Sequence, residues 1–142
     1  MKPIAALFDE SNQAGDYQCM RVRTALGEML SQRAARNSGS RPPQPQRIVV
    51  GVAPYSRPDM QLLDALLEKA EQDDEFRERL QIFDVLECAS MADFDKHIPG
   101  LGNVYQTPVV GIWRDGLLYR KAWGGKARQL LSAYAVNLRS CL

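Results

Sequence analysis

The sequence predicts an α/β protein: a three-layer α/β/α arrangement around a mixed central sheet, in the order β-α-β-α-β-α-β-β-α. Three observations lead there. Ile48-Val49-Val50-Gly51-Val52-Ala53 is apolar, β-branched and too short for a typical helix, so it reads as a buried strand. Pro54-Tyr55 turns the chain into an amphipathic run through Leu62, Leu63, Leu66 and Leu67. A second β run at 80–86 then completes a βαβ unit with parallel strands. Farther on, Arg114-Asp115-Gly116 separates β runs at 109–113 and 117–123, and Asp-Gly in that setting is a strong hairpin signal.

The other elements follow in chain order. Ile4-Ala5-Ala6-Leu7-Phe8 reads as a short first strand, and 9–15 as a polar loop. A helix is expected from Asp16, which caps it. Cys19, Val22, Leu26, Met29 and Leu30 recur at three- and four-residue steps and form one apolar stripe. Arg21, Arg23, Arg33 and Arg36 fall mostly off that stripe, as a solvated face or a binding patch. Residues 37–46, Asn-Ser-Gly-Ser-Arg-Pro-Pro-Gln-Pro-Gln, are loop-like, and Pro42 and Pro45 have the spacing of a Pro-x-x-Pro ligand. One strand and one helix before this loop (1–36) cannot hold a core alone. The expectation is therefore one domain over 1–142, with its main core in 47–142. The helix over 56–72 ends in acidic residues, Glu71, Asp73, Asp74 and Glu75. A short helix over 91–97 has Ser90 as its cap, and Pro99-Gly100-Leu101-Gly102 is a loop. The last helix is expected over 126–139, with Leu130, Leu131, Tyr134 and Leu138 on one face.

Composition sets outer bounds. The chain has 142 residues, 45% hydrophobic and 25% charged, which is ordinary for a globular domain with a sizeable core. Formal net charge is +1. Residues 1–47 hold seven basic and four acidic side chains, and 48–142 hold eleven and thirteen, so the two parts differ only as +3 against −2. Nothing there calls for a nucleic-acid partner. No run of 18 apolar residues is present, so no membrane span is expected, and Met1-Lys2-Pro3-Ile4 does not open a signal peptide. Cys19, Cys88 and Cys141 are too far apart for a zinc pattern and odd in number for a disulfide framework; no metal or cofactor is expected, and the cytoplasm is the expected compartment.

The stretch from Arg47 to Met60 resembles the active-site segment of the thioredoxin family, in which a strand, Ala-x-Trp-Cys-Gly-Pro-Cys and a helix follow one another. Here Ala53 stands at the Ala, Tyr55 at the Trp, and Ser56-Arg57-Pro58-Asp59 replaces Cys-Gly-Pro-Cys. Thr107-Pro108-Val109-Val110-Gly111-Ile112-Trp113 and the hairpin after it are similar to the family's second half, where the Pro is cis. Gly124-Gly125 resembles the glycine region beyond. The resemblance implies a thioredoxin-like fold and a groove formed by Tyr55, Ser56, Arg57, Thr107, Pro108 and Gly124. In that family the backbone before the Pro pairs with an extended substrate peptide.

The chemistry of that family does not carry over. Its first Cys is a nucleophile because the helix N-terminus and the partner thiol lower its pKa. Serine has no accessible anion near neutral pH. The family's buried carboxylate in the preceding strand is matched by Val50, which cannot relay a proton. Ser56-x-x-Asp59 also has the form of a capping box, with Asp59 facing the positive end of its helix, and Pro58 suits a first helical turn. Against this stands a catalytic Ser56 with Asp59, which would need a nearby base. The one histidine, His97, falls in a different short helix. Cys88 is the remaining thiol candidate, with Glu87 beside it raising its pKa. The leading expectation is a protein or peptide-binding or assembly module without dithiol chemistry, with homo-oligomerisation open. The alternative is a single-thiol redox enzyme or sensor using Cys88.

Overall fold

The computed structural model describes Ile4 and residues 16–36, 46–100 and 106–134. Within them the chain forms a four-stranded mixed sheet of order β2-β1-β3-β4. The central strand β1 (Arg47–Val52) is buried almost throughout, as its apolar run predicts. It pairs in parallel with β2 (Leu80–Asp84) through Ile48–Leu80 to Val52–Asp84, and antiparallel with β3 (Val109–Arg114). Strand β3 turns into β4 (Leu117–Trp123), closing the hairpin that Asp115-Gly116 announces. Both turn residues have positive φ, 54° and 80°, as a two-residue type I′ turn requires. A register shift at Ile112/Trp113 leaves Tyr119 as the extra residue of a bulge.

Helices cover both faces. Alternation along β1 sends Ile48, Val50 and Val52 one way and Val49 the other. The first set joins Val110 and Ile112 of β3 in a cluster with helices α1 (Asp16–Arg36), α2 (Arg57–Gln72) and α5 (Gly125–Tyr134). Val22, Leu26 and Met29 of α1 are buried in it, at the spacing of the predicted stripe. So are Met60, Leu62, Leu63 and Leu66 of α2; each such side chain contributes about 1.5–3 kcal/mol relative to exposure. On the opposite face Val49, Phe83, Val109 and Trp113 pack with Ile98 and Phe94, brought there by α4 (Met91–His97).

Three expectations are corrected in detail. The acidic run expected as the end of α2 opens a new helix as well: Asp73 closes α2 and its side chain caps a separate helix, α3 (Asp74–Arg79), by accepting from Phe76 N–H at 3.1 Å. The second strand stops at Asp84, not 86. There the Asp84 carboxylate accepts from Leu86 N–H at 2.8 Å and bends Val85–Glu87 into a 3-10 turn. The last helix begins one residue earlier than expected, at Gly125. Of the first strand expected over 4–8 only Ile4 is described, buried in the core with its N–H donating to Asp64 Oδ1 at 2.9 Å; residues 5–8, the loop 37–46 apart from Gln46, and residues 135–142 with Cys141 lie outside the described residues, as does the side chain of Cys19. Among the described residues the order is α-β-α-α-β-α-β-β-α, and no helix is long and apolar enough to cross a membrane.

Candidate functional site

The carboxyl end of β1, the turn before β3 and the start of α5 meet at one edge of the sheet, the usual place for sites in open α/β sheets. A groove of about 550 Å³ opens there. One wall is Tyr55 and Ser56 at the start of α2, with Val85, Leu86 and Phe94 beside them. The other is Gln106 and Thr107, then Gly124, Gly125 and Arg128.

Ser56 is the N-cap of α2. Its Oγ accepts from Asp59 N–H at 3.3 Å, and Pro58 occupies the first turn. The reciprocal half of a capping box is not made. Ser56 N–H goes to Ala53 C=O at 3.0 Å, and the Asp59 carboxylate turns inward instead of facing the helix end from outside. It is fully buried: Oδ2 accepts from Ala53 N–H at 3.0 Å, and Oδ1 accepts from Arg128 Nη2 at 3.1 Å. Arg128 also reaches Pro58 C=O at 3.5 Å, so one guanidinium ties the start of α5 to the start of α2. A buried carboxylate is retained only with such partners. Asp59 therefore lies beneath the groove and does not line it.

The second wall rests on Thr107–Pro108, a cis peptide bond. Pro108 is buried, and its C=O accepts from Gly124 N–H at 2.9 Å, which fastens the two loops together. Gly124 has φ of 66°, and a Cβ there would collide with Gln106 Oε1; only glycine lets the Gln106 side chain lie on this backbone. The Thr107 backbone makes no hydrogen bond among the described residues. Tyr55, 59% exposed, and Leu86, 40% exposed, leave large apolar surfaces at the rim.

Of the residues expected at the site, Tyr55, Ser56, Thr107 and Gly124 line one groove, and Pro108 supports it from below. Arg57 is exposed and not among the lining residues. Cys88 is half-buried outside the groove. Burial pushes its thiol up, and Asp93, Asp84 and Glu87 push it further the same way. His97 stacks flat on Phe83, with centroids 4.1 Å apart and planes at 3°. Desolvation lowers its pKa against the pull of Asp93, with Lys96 acting in the same direction as the burial. It does not line the groove with Ser56. Among the described residues no group of three or more His, Cys, Asp or Glu could hold a metal ion.

Sequence reading missed Val85, Leu86, Phe94, Gln106 and Arg128. Leu86 and Val85 looked like continuing strand; the Asp84 side chain that breaks the strand is what turns them to the rim. Arg128 carried no signal, because its partner is 69 residues away.

Fold and groove together define an α/β protein with an open mixed sheet and a partly apolar cleft at the carboxyl end of its central strand. No protein-family profile, characterised protein or solved structure matches the chain.

Proposed function

We propose that this is a thioredoxin-like protein without dithiol chemistry, which binds an extended segment of a protein partner in the cleft at the sheet edge. One observation carries the reading: Tyr55, Ser56, Thr107 and Gly124 line a single open groove in which the motif's hydroxyl and carboxylate are both engaged in structure. The Ser56 oxygen caps a helix, the Asp59 carboxylate is buried against Arg128, and among the described residues no histidine or cysteine lines the groove. What such a surface offers is apolar area from Tyr55, Val85, Leu86 and Phe94 beside the Thr107 backbone, whose groups make no hydrogen bond among the described residues. Backbone pairing plus a side-chain pocket is how extended peptides are captured without any covalent step. The cytoplasm is the proposed compartment.

The Cys88 alternative gains nothing from its surroundings. A redox-active thiol needs its thiolate stabilised, and burial with three carboxylates does the opposite. A display library of random twelve-residue peptides tests the proposal. The wild-type chain enriches a consensus, and the double variant Tyr55→Ala, Leu86→Ser does not. An equal enrichment by both, or none by either, removes the groove from consideration. In the insulin-reduction assay the protein gives no catalysis above the dithiothreitol blank.

A further inference from the structure

The groove does not end at Gly125. A second depression of about 580 Å³ shares Gln106 and Gly125 with it and runs over β4 and α5, lined by Lys121, Ala122, Trp123, Lys126 and Gln129. Gln106, lying on Gly124, is the waist between the two. The two halves differ in chemistry. Arg128, Lys121 and Lys126 line them, and among the described residues no carboxylate does. Arg128 is neutralised by Asp59, whereas Lys121 donates, among the described residues, only to a neutral carbonyl, that of Gly100, at 2.7 Å. Lys126 is exposed in the first turn of α5 and makes no ion pair among the described residues. At the other end, next in sequence to Leu86 and Phe94, the carboxylates are matched: Glu87 pairs with Arg23 at 3.2 Å and Asp93 with Lys96 at 3.8 Å. The trough is therefore uneven: apolar at one end, cationic with an aromatic floor at the other.

Resting on the peptide-binding reading above, we infer that the partner segment is an apolar–acidic peptide. Its large apolar side chain sits among Tyr55, Val85, Leu86 and Phe94, and its carboxylates lie on Lys121 and Lys126 beside Trp123. The separation of the two ends gives the peptide one orientation, because the reverse leaves its acids among Tyr55, Leu86 and Phe94 and away from both lysines. A net charge of +1 for the whole chain hides this, since the asymmetry is between two ends of one trough.

Fluorescence anisotropy with three labelled ten-residue peptides tests it. Each carries the same Leu-Phe anchor, followed by four Glu, four Gln or four Lys. A single-stranded oligothymidylate of ten nucleotides serves as a fourth probe. The Glu peptide binds about tenfold tighter than the Gln peptide at low salt, from two cations each worth under one power of ten, and loses that margin near 0.5 M NaCl. Lys121→Gln with Lys126→Gln brings the Glu peptide to the affinity of the Gln peptide. Lys126→Glu, an exposed change that suits a helix start, weakens the Glu peptide and strengthens the Lys peptide. Glu and Gln peptides binding within twofold of each other would overturn the inference and leave the peptide groove standing. Absence of binding by all three peptides would overturn both. Oligothymidylate binding tighter than the Glu peptide, and lost in the lysine variants, would overturn it in favour of a nucleic acid.

Discussion

The Asp59–Arg128 pair is the test of whether position 59 serves the framework. Removing the carboxylate strands two groups. Ala53 N–H lies in a fully buried residue and loses its acceptor, a desolvation loss of about 1–3 kcal/mol. Arg128 loses the partner 3.1 Å away, but its side chain is 25% exposed and recovers part of its hydration. Breaking a buried pair costs about 3–5 kcal/mol, and that exposure sets Asp59→Ala at the lower end, about 3 kcal/mol. Arg128→Ala leaves a fully buried carboxylate with one backbone donor and costs about 3–4 kcal/mol. The double variant removes the orphaned charge, so it is less destabilised than the sum of the singles by about 2 kcal/mol. Equilibrium urea unfolding followed by Trp113 and Trp123 fluorescence reads this directly. With a slope of about 1.5 kcal/mol/M, Asp59→Ala moves the midpoint down by about 2 M at unchanged slope. Single variants within 1 kcal/mol of wild type, or an additive double variant, would refute the assignment of Asp59 to the framework.

Four further outcomes follow from the same coordinates. Gly51→Ala sets a Cβ against the Phe83 ring and 2.6 Å from Val109 Cγ2 at the centre of the sheet; thermal unfolding should show a loss of about 2–3 kcal/mol, the upper range for overpacking. Ser56→Ala removes the α2 cap and costs about 1 kcal/mol, with Ser56→Asp recovering most of it in the same measurement. Asp84 is buried, and desolvation raises its pKa above the ordinary 3.8 despite the opposing Leu86 N–H bond and Arg23. The folded state thus holds that proton more tightly, so its contribution is present at low pH and is lost as pH rises through the folded value; Asp84→Asn, which keeps the acceptor for Leu86 N–H, stabilises the protein at pH 7 and not at pH 3 in urea titrations. Cys88, with its thiol pushed up, reacts with iodoacetamide at pH 7 more slowly than free cysteine in a mass-spectrometric time course; a faster rate would restore a reactive-thiol reading.

What was legible in the chain was whatever short-range chemistry controls. The run Ile48 to Ala53 had one reading, because β-branched residues over six positions suit only a buried strand, and Asp115-Gly116 had one turn to make. The Ser56 cap was readable three residues from its donor. The site was legible only where the motif itself supplied it. Tyr55, Ser56, Thr107 and Gly124 were named in advance, but half of the lining came from events that sequence spacing does not encode. Leu86 reaches the rim because one aspartate two residues earlier ends a strand whose apolar pattern would have continued. The direction of Asp59 was misread for a related reason. A carboxylate three residues after a serine has two uses, and which one it takes depends on whether a distant cation arrives; Arg128 does, from across 69 residues.

That choice bears on the motif as a whole. A thiol at position 59 would be small, weakly polar and able to titrate toward the cleft. A carboxylate there is compatible with burial only when both oxygens are met, and both are, by Ala53 N–H and by Arg128. Arg128 is in turn held at the groove's edge with its charge cancelled, so it contributes area and donors but little field. Among the described lining residues, the cations without a carboxylate partner are Lys121 on β4 and Lys126 at the start of α5. An acid rather than a thiol at position 59 thus welds α2 to α5 and leaves the field on a ligand to the neighbouring hairpin and the start of α5. A peptide that prefers the hairpin end is the expected consequence, and the lysine variants separate that consequence from the weld, because neither lysine touches Asp59 or Arg128.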